Sequence, residues 1–329
     1  MRMEFATLRN AAQSGAHPVD ICLALLWSRS KLFSQGWGDE RLLASVADLR
    51  GYLQPAYVPH INWYRDSERR GVRTLDGSFV SPVDLLPQQS GIAHVRASVR
   101  EGNDTACLIL AASRDEGYRI RERIFGALID RGLNLYFLEN AYYGLRRVSA
   151  GPTSATVSDH ILMVVATVCE SLGLLAYLRQ RYRKLVVTGY SMGGHMAALS
   201  AATSREPVAC AALATGASGS AVYTRGLLQW SVDYATLERD PAMRGQARHR
   251  MQKLFSGADI TQHPRPVRPD AAVIAGCKRD AYVLQSETER LHAYWPGSTL
   301  RWIDSGHFPA LLTCRTALCD CVAEAASKL

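Results

Sequence analysis

Five stretches of this sequence are almost wholly apolar: Thr105–Ala112, Leu133–Leu138, Leu185–Thr188, Val208–Ala214 and Ala271–Ala275. Each is short for a helix and too uniformly apolar for a strand with one wet face, so each reads as a strand covered on both sides. Between them lie longer pieces with helical spacing. These are Tyr118 to Asp130 closed by Gly132, Thr156 to Tyr182 with a bend at Gly173, and Met192 to Ser204. A last strand at Thr299–Ile303 is set among helices at Leu284 to Trp295 and Pro309 to Lys328. This rhythm predicts an α/β fold, a mostly parallel central sheet flanked by helices. Upstream, His94 to Arg100 alternates as a half-buried strand, and Arg73–Val80 reads as a hairpin turning at Asp76–Gly77.

Two regions break the rhythm. Residues 1–72, with Trp27, Trp37 and Trp63, read as a helical N-terminal extension packed on a domain spanning 73–329. Residues 217–268 hold polar, arginine-rich helices and read as a helical insertion acting as a lid. At 329 residues and 47% hydrophobic, the chain can bury a large core.

The charge of +8 comes mostly from scattered arginines, which argues for a solvated basic surface rather than a nucleic-acid site. Weak contact with an anionic membrane surface fits the same charge. Cys107, Cys210 and Cys277 sit in strand-like runs, and Cys314, Cys319 and Cys321 match no zinc spacing, so no metal and a reduced interior are expected. Ile21–Trp27 lacks the form of a signal peptide and is too short to span a bilayer. A cytoplasmic location is expected, or a peroxisomal one if the terminal Ser327-Lys328-Leu329 is read as an address.

The chemistry centres on Gly189-Tyr190-Ser191-Met192-Gly193, a G-x-S-x-G placed after a buried strand and before a helix. That context makes a nucleophile elbow: side chains at 189 and 193 would collide with strand and helix, and the serine hydroxyl is forced out of the sheet. The blander reading is a glycine-rich turn with a helix-capping serine. His195 is close in sequence but should point into packing. A serine needs a base, and the base an acid to hold its tautomer. In the order serine, acid, histidine, His307 qualifies on the loop after the last strand, ahead of His249, His263 and His292. Asp280 ends the preceding buried strand, with a helix N-cap as its alternative role, and Asp304 is the rival acid. The oxyanion would be held by the backbone amides of Met192 and Ser113.

Further blocks carry a resemblance. Lys31–Gly38, Asp76–Pro82, Leu138–Gly144, Gly189–Ala197, Asp280–Tyr282, Trp295–Gly297 and Gly306–His307 together resemble the family of alpha/beta hydrolase domain-containing protein 18, from about residue 31 to 312. The resemblance implies an α/β-hydrolase fold and serine acyl-hydrolase chemistry without a cofactor. It suggests lipid or phospholipid esters as substrates, with Ser191, Asp280 and His307 as nucleophile, acid and base. The stretch Leu110–Gly117 is bulkier than the glycine-bearing loop expected there, and the insertion is shorter. Two other readings use the same features: a scaffold that binds a partner without catalysis, and acyl transfer to an alcohol other than water.

Overall fold

The computed structural model describes residues 15–46, 57–148 and 153–329. Among them the strands β1 (Asn62–Arg69), β2 (Val72–Val80), β3 (Ile92–Val99), β4 (Thr105–Leu110), β5 (Leu133–Leu138), β6 (Lys184–Tyr190), β7 (Ala209–Leu213), β8 (Ala272–Cys277) and β9 (Thr299–Ile303) form one sheet in the order β1-β2-β3-β5-β4-β6-β7-β8-β9. Pairings from β5 to β9 are parallel, and β1, β2 and β3 add to one side as antiparallel strands. The fold is an α/β-hydrolase fold.

Alternation within β4 explains why its run is apolar throughout. Leu108 and Leu110 enter the core under helices Val157–Arg179 and Met192–Thr203, while Cys107 and Ile109 enter the core under Arg119–Phe125 and Arg315–Ser327. All four are fully buried or nearly so, so neither side of the strand tolerates a polar residue. Helix Val157–Arg179 is long and apolar enough to cross a membrane, yet 83% of its apolar window is buried inside the protein. It runs unbroken past Gly173, where a Cβ would meet the ring of Tyr57 at 2.7 Å. The glycine serves this close contact.

Four expectations need correction. Val72–Val80 is one continuous strand, not a hairpin at Asp76–Gly77. Asp76 is gripped across the sheet by Arg96 at 2.6 and 2.9 Å, and Gly77 leaves room for the Trp63 ring. The turn falls at Arg70–Gly71, both with positive φ, as a two-residue hairpin loop requires. Residues 1–72 are therefore not only helical, since β1 lies within them and forms the sheet edge. The C-terminal segment makes two helices, His307–Thr313 and Arg315–Ser327, parted at Cys314. His307 thus opens a helix instead of lying on a loop. Between β7 and β8, residues 217–268 carry short helices, the longest being Ala247–Phe255.

Candidate active site

At the C-terminal end of β6 the chain turns sharply into helix Met192–Thr203, and Ser191 takes φ 56°, ψ −118°. A non-glycine residue there is strained, and the packing around it enforces the strain. A Cβ on Gly189 would lie 2.4 Å from the Gly193 carbonyl carbon, and one on Gly193 would lie 2.4 Å from the Leu110 carbonyl oxygen. Only glycines let strand, turn and helix close this tightly. The Ser191 amide donates to Leu213 O at 2.8 Å, tying the elbow to β7.

The Oγ of Ser191 lies 3.0 Å from His307 Nε2, and His307 Nδ1 lies 2.6 Å from Asp280 Oδ2. The structure therefore brings together the three side chains singled out in the sequence. Asp280 does not cap the next helix, Gln285–Tyr294, which begins after Leu284 without a side-chain cap; its two oxygens instead serve a loop turn and the imidazole. Oδ1 accepts from the amides of Tyr282 and Val283 at 2.8 and 2.9 Å, leaving Oδ2 for the imidazole. Asp304 lies on the surface, 4.0 Å from Arg279. His195 is also excluded as a base: its ring nitrogens face the carbonyls of Gly216 and Ala258. His249 is exposed, His263 contacts Gly257 O, and His292 contacts Ser298.

The surroundings of His307 hold its position from several directions. Tyr190, Tyr282 and Phe308 place their rings 5.1 to 5.3 Å from one another or from the imidazole, and the Tyr190 hydroxyl donates to the His307 carbonyl. Burial disfavours the imidazolium, but the charge and hydrogen bond of Asp280, with the charge of Asp20, outweigh it and raise the His307 pKa above its ordinary value.

Asp20 was not legible as a site residue. It is fully buried, and its oxygens accept the amides of His307 at 2.6 Å and Phe308 at 2.9 Å. Across 287 residues of chain, it supplies the cap of the helix that His307 opens. Close packing locks the arrangement, since a Cβ on Gly306 would meet His17 Cβ at 2.4 Å and Asp20 Oδ2 at 2.6 Å. Nothing local in Pro18–Trp27 announces this, because the groups that need capping lie at the other end of the sequence.

Ser113 and Arg114 form the centre of a turn closed by Asp115 N to Ala112 O at 3.2 Å, with Arg114 at φ 66° and its amide 3.4 Å from the Tyr143 hydroxyl. Neither the Ser113 nor the Met192 amide donates to a backbone carbonyl among the described residues. Arg121, another residue missed in the sequence, anchors the approach to this turn. Its guanidinium donates to Ile109 O at 3.1 Å and Leu138 O at 2.6 Å and lies 3.0 Å from Asp115. Beside it, burial pushes the Glu139 carboxyl up to about 7.

Two cavities meet at Ser191. The larger, about 280 Å³, is bordered by Trp27, Ile120, His307, Phe308 and Leu311. The smaller, about 80 Å³, is bordered by Ile161, Val164, Tyr223, Leu254 and Phe255, the last three from residues 217–268. Ser113, Val222 and Leu228 line both. Leu227 and Trp230 instead pack with Ala24 and Tyr282. His160 in the smaller cavity is bound to Ser154 and Tyr223, and burial drops its pKa to about 4, so it stays neutral.

The sequence profile of the family described as "Alpha/beta hydrolase domain containing 18" matches residues 30–245 and 240–328, nearly the whole chain. The protein belongs to that family. Among solved structures, this member of the alpha/beta hydrolase domain containing 18 family is similar to the acetyl xylan esterase from Paenibacillus sp. R4, with a TM-score of 0.56 and 12% identity over 88% of this chain and 98% of that one. Acetyl xylan esterase 1 from Thermoanaerobacterium sp. JW/SL YS485 also has a TM-score of 0.56 and 12% identity, over 92% and 99%. The S-formylglutathione hydrolase from Agrobacterium tumefaciens has a TM-score of 0.54 and 15% identity, over 82% and 99%. At these identities the likeness is one of fold.

Proposed function

We propose that the protein is a serine hydrolase that cleaves acyl esters of lipids through an acyl-enzyme. The observation that carries this reading is the chain of contacts from Ser191 Oγ to His307 Nε2 at 3.0 Å and from His307 Nδ1 to Asp280 at 2.6 Å. Asp280 accepts a hydrogen bond from Nδ1–H and holds that tautomer, which leaves Nε2 unprotonated to take the proton of Ser191 as its oxygen attacks the ester carbonyl carbon. The carbonyl oxygen becomes an anion, held by the Met192 and Ser113 amides at the start of the helix and in the facing turn. His307 then gives its proton to the departing alkoxide, releasing the alcohol and leaving Ser191 acylated. Water, deprotonated by the same nitrogen, releases the acid and restores the serine. No step calls for a cofactor.

The lipid part of the reading is supported by the apolar borders of both cavities, with one cavity available to each side of the ester. Residues 217–268 act as a lid, since Val222, Tyr223, Leu228, Leu254 and Phe255 border the route to Ser191. Ester hydrolysis agrees with family membership and with the esterase fold of the similar structures. The test is hydrolysis of p-nitrophenyl esters of increasing chain length. Activity should be present in the wild type, favour medium or long chains, and vanish in Ser191→Ala. A folded wild type with no activity on any ester would contradict the reading.

A further inference from the structure

The mouth of the larger cavity is framed by three elements that leave apolar side chains in water. Helix Pro18–Trp27 turns Asp20 and Ala24 inward and leaves Val19, Leu25 and Leu26 at 44%, 37% and 60% exposure, with Cys22 exposed between them. This spacing follows one helix face. Leu312, 73% exposed, adjoins the cavity-lining Leu311, and Ile120, 49% exposed, lines the cavity itself. Single exposed leucines are ordinary, but apolar groups gathered around one opening mark an interaction surface.

Charge identifies the partner. Arg29, Lys31, Arg119, Arg123 and Arg315 are exposed on or beside the same three elements, and none makes an ion pair with another described residue. Of the acids here, Asp20 is buried, Glu122 pairs with Arg96, Glu116 pairs with Arg147, and the exposed Asp304 lies 4.0 Å from Arg279. An apolar face with a rim of exposed cations that lack carboxylate partners among the described residues complements a bilayer that bears anionic headgroups. It suits a second copy of the same face poorly, because two-fold docking would set the basic rims against each other.

We propose that this face docks on an anionic lipid bilayer, with helix Pro18–Trp27 lying in the interface and the larger cavity opening onto it. An acyl chain then passes from the membrane toward Ser191 without crossing water. The purpose of this surface rests on the acyl-ester reading, but its detection does not.

The experiment sediments the full-length protein with vesicles of phosphatidylcholine alone or with phosphatidylglycerol added. It compares wild type with the triple variant Leu25→Gln, Leu26→Gln, Leu312→Gln, whose sites line neither cavity at Ser191 and whose charge is unchanged. Wild type should bind the anionic vesicles and release as salt screens the rim. The triple variant should bind them about tenfold more weakly, with an unaltered melt and unaltered hydrolysis of a short soluble ester. Absence of wild-type binding, or binding by the triple variant equal to wild type, overturns the proposal. So does sedimentation velocity showing that the substitutions convert a dimer to a monomer, which would make the face a self-interface. Vesicle binding by a wild type that hydrolyses no ester would leave the docking surface standing and remove only the acyl-ester reading.

Discussion

Replacing Asp20 by asparagine isolates what this distant carboxylate does for His307. Its two oxygens accept the amides of His307 and Phe308 at 2.6 and 2.9 Å. Asparagine offers only one oxygen, so one contact survives and an N–H is left facing an amino group. A hydrogen bond to a charged acceptor is worth about 1.5–3 kcal/mol. If that is felt as misplacement of the imidazole in the transition state, kcat/KM falls roughly 10- to 100-fold.

The charge adds a second, signed effect. His307 stands above its ordinary pKa because Asp280 and then Asp20 outweigh the opposing effect of burial. Removing the Asp20 charge lowers that pKa. The acid limb of kcat/KM, which reports deprotonation of the His307 imidazolium in the free enzyme, therefore moves to lower pH. Stability should respond differently. Burial holds the pKa of Asp20 itself above the usual carboxylate value despite its two amide donors. Its stabilising contribution is then complete below the unfolded pKa and declines as pH rises through the folded one. Asparagine escapes that decline, so its melt at neutral pH should lie within a few degrees of wild type. The assay is the pH profile of a soluble p-nitrophenyl ester beside a thermal melt. A slower enzyme with an unmoved acid limb would refute the electrostatic part, and wild-type rates throughout would refute both parts.

Three further substitutions test individual assignments. Asp280→Asn should lose about 10⁴ in turnover, the scale seen when a triad imidazole takes the wrong tautomer, whereas Asp304→Asn should stay near wild type; the opposite ranking in folded variants would reassign the acid. Proline suits the second position of a turn like Ala112–Asp115 but has no amide hydrogen. Ser113→Pro should therefore cost about 10² to 10³ in kcat and Ser113→Ala little; equal losses would move the oxyanion role to the hydroxyl. Leu228→Asn, at the junction of the two cavities, should lower kcat/KM for long esters more than for acetate, and an unchanged chain-length ratio would place the acyl chain elsewhere.

How much of this was legible in the sequence depended on whether the determining interaction was local. The buried strands could be read because β4, β6, β7 and β8 have no wet face, which leaves an apolar run in the sequence itself. Likewise, the steric demand at Ser191 is met by glycines two residues to either side. Asp280 and His307 followed from chain order on such a sheet. Non-local interactions defeated the reading elsewhere. Asp76–Gly77 has turn chemistry, but Arg96 on the neighbouring strand claims the aspartate and the turn moves to Arg70–Gly71. The helix beginning at His307 has no cap in its own segment, because Asp20 provides it. For the same reason, Asp20 was invisible.

The central claim is that Ser191 is a nucleophile activated by His307 and held by Asp280. Its most direct test is reaction of the folded protein with a fluorophosphonate, followed by intact mass and peptide mapping. The account predicts one adduct per chain on Ser191, formed rapidly in wild type, far more slowly in His307→Ala, and not at all in Ser191→Ala. Labelling that persists in folded Ser191→Ala, or a folded wild type that takes no label, would contradict it.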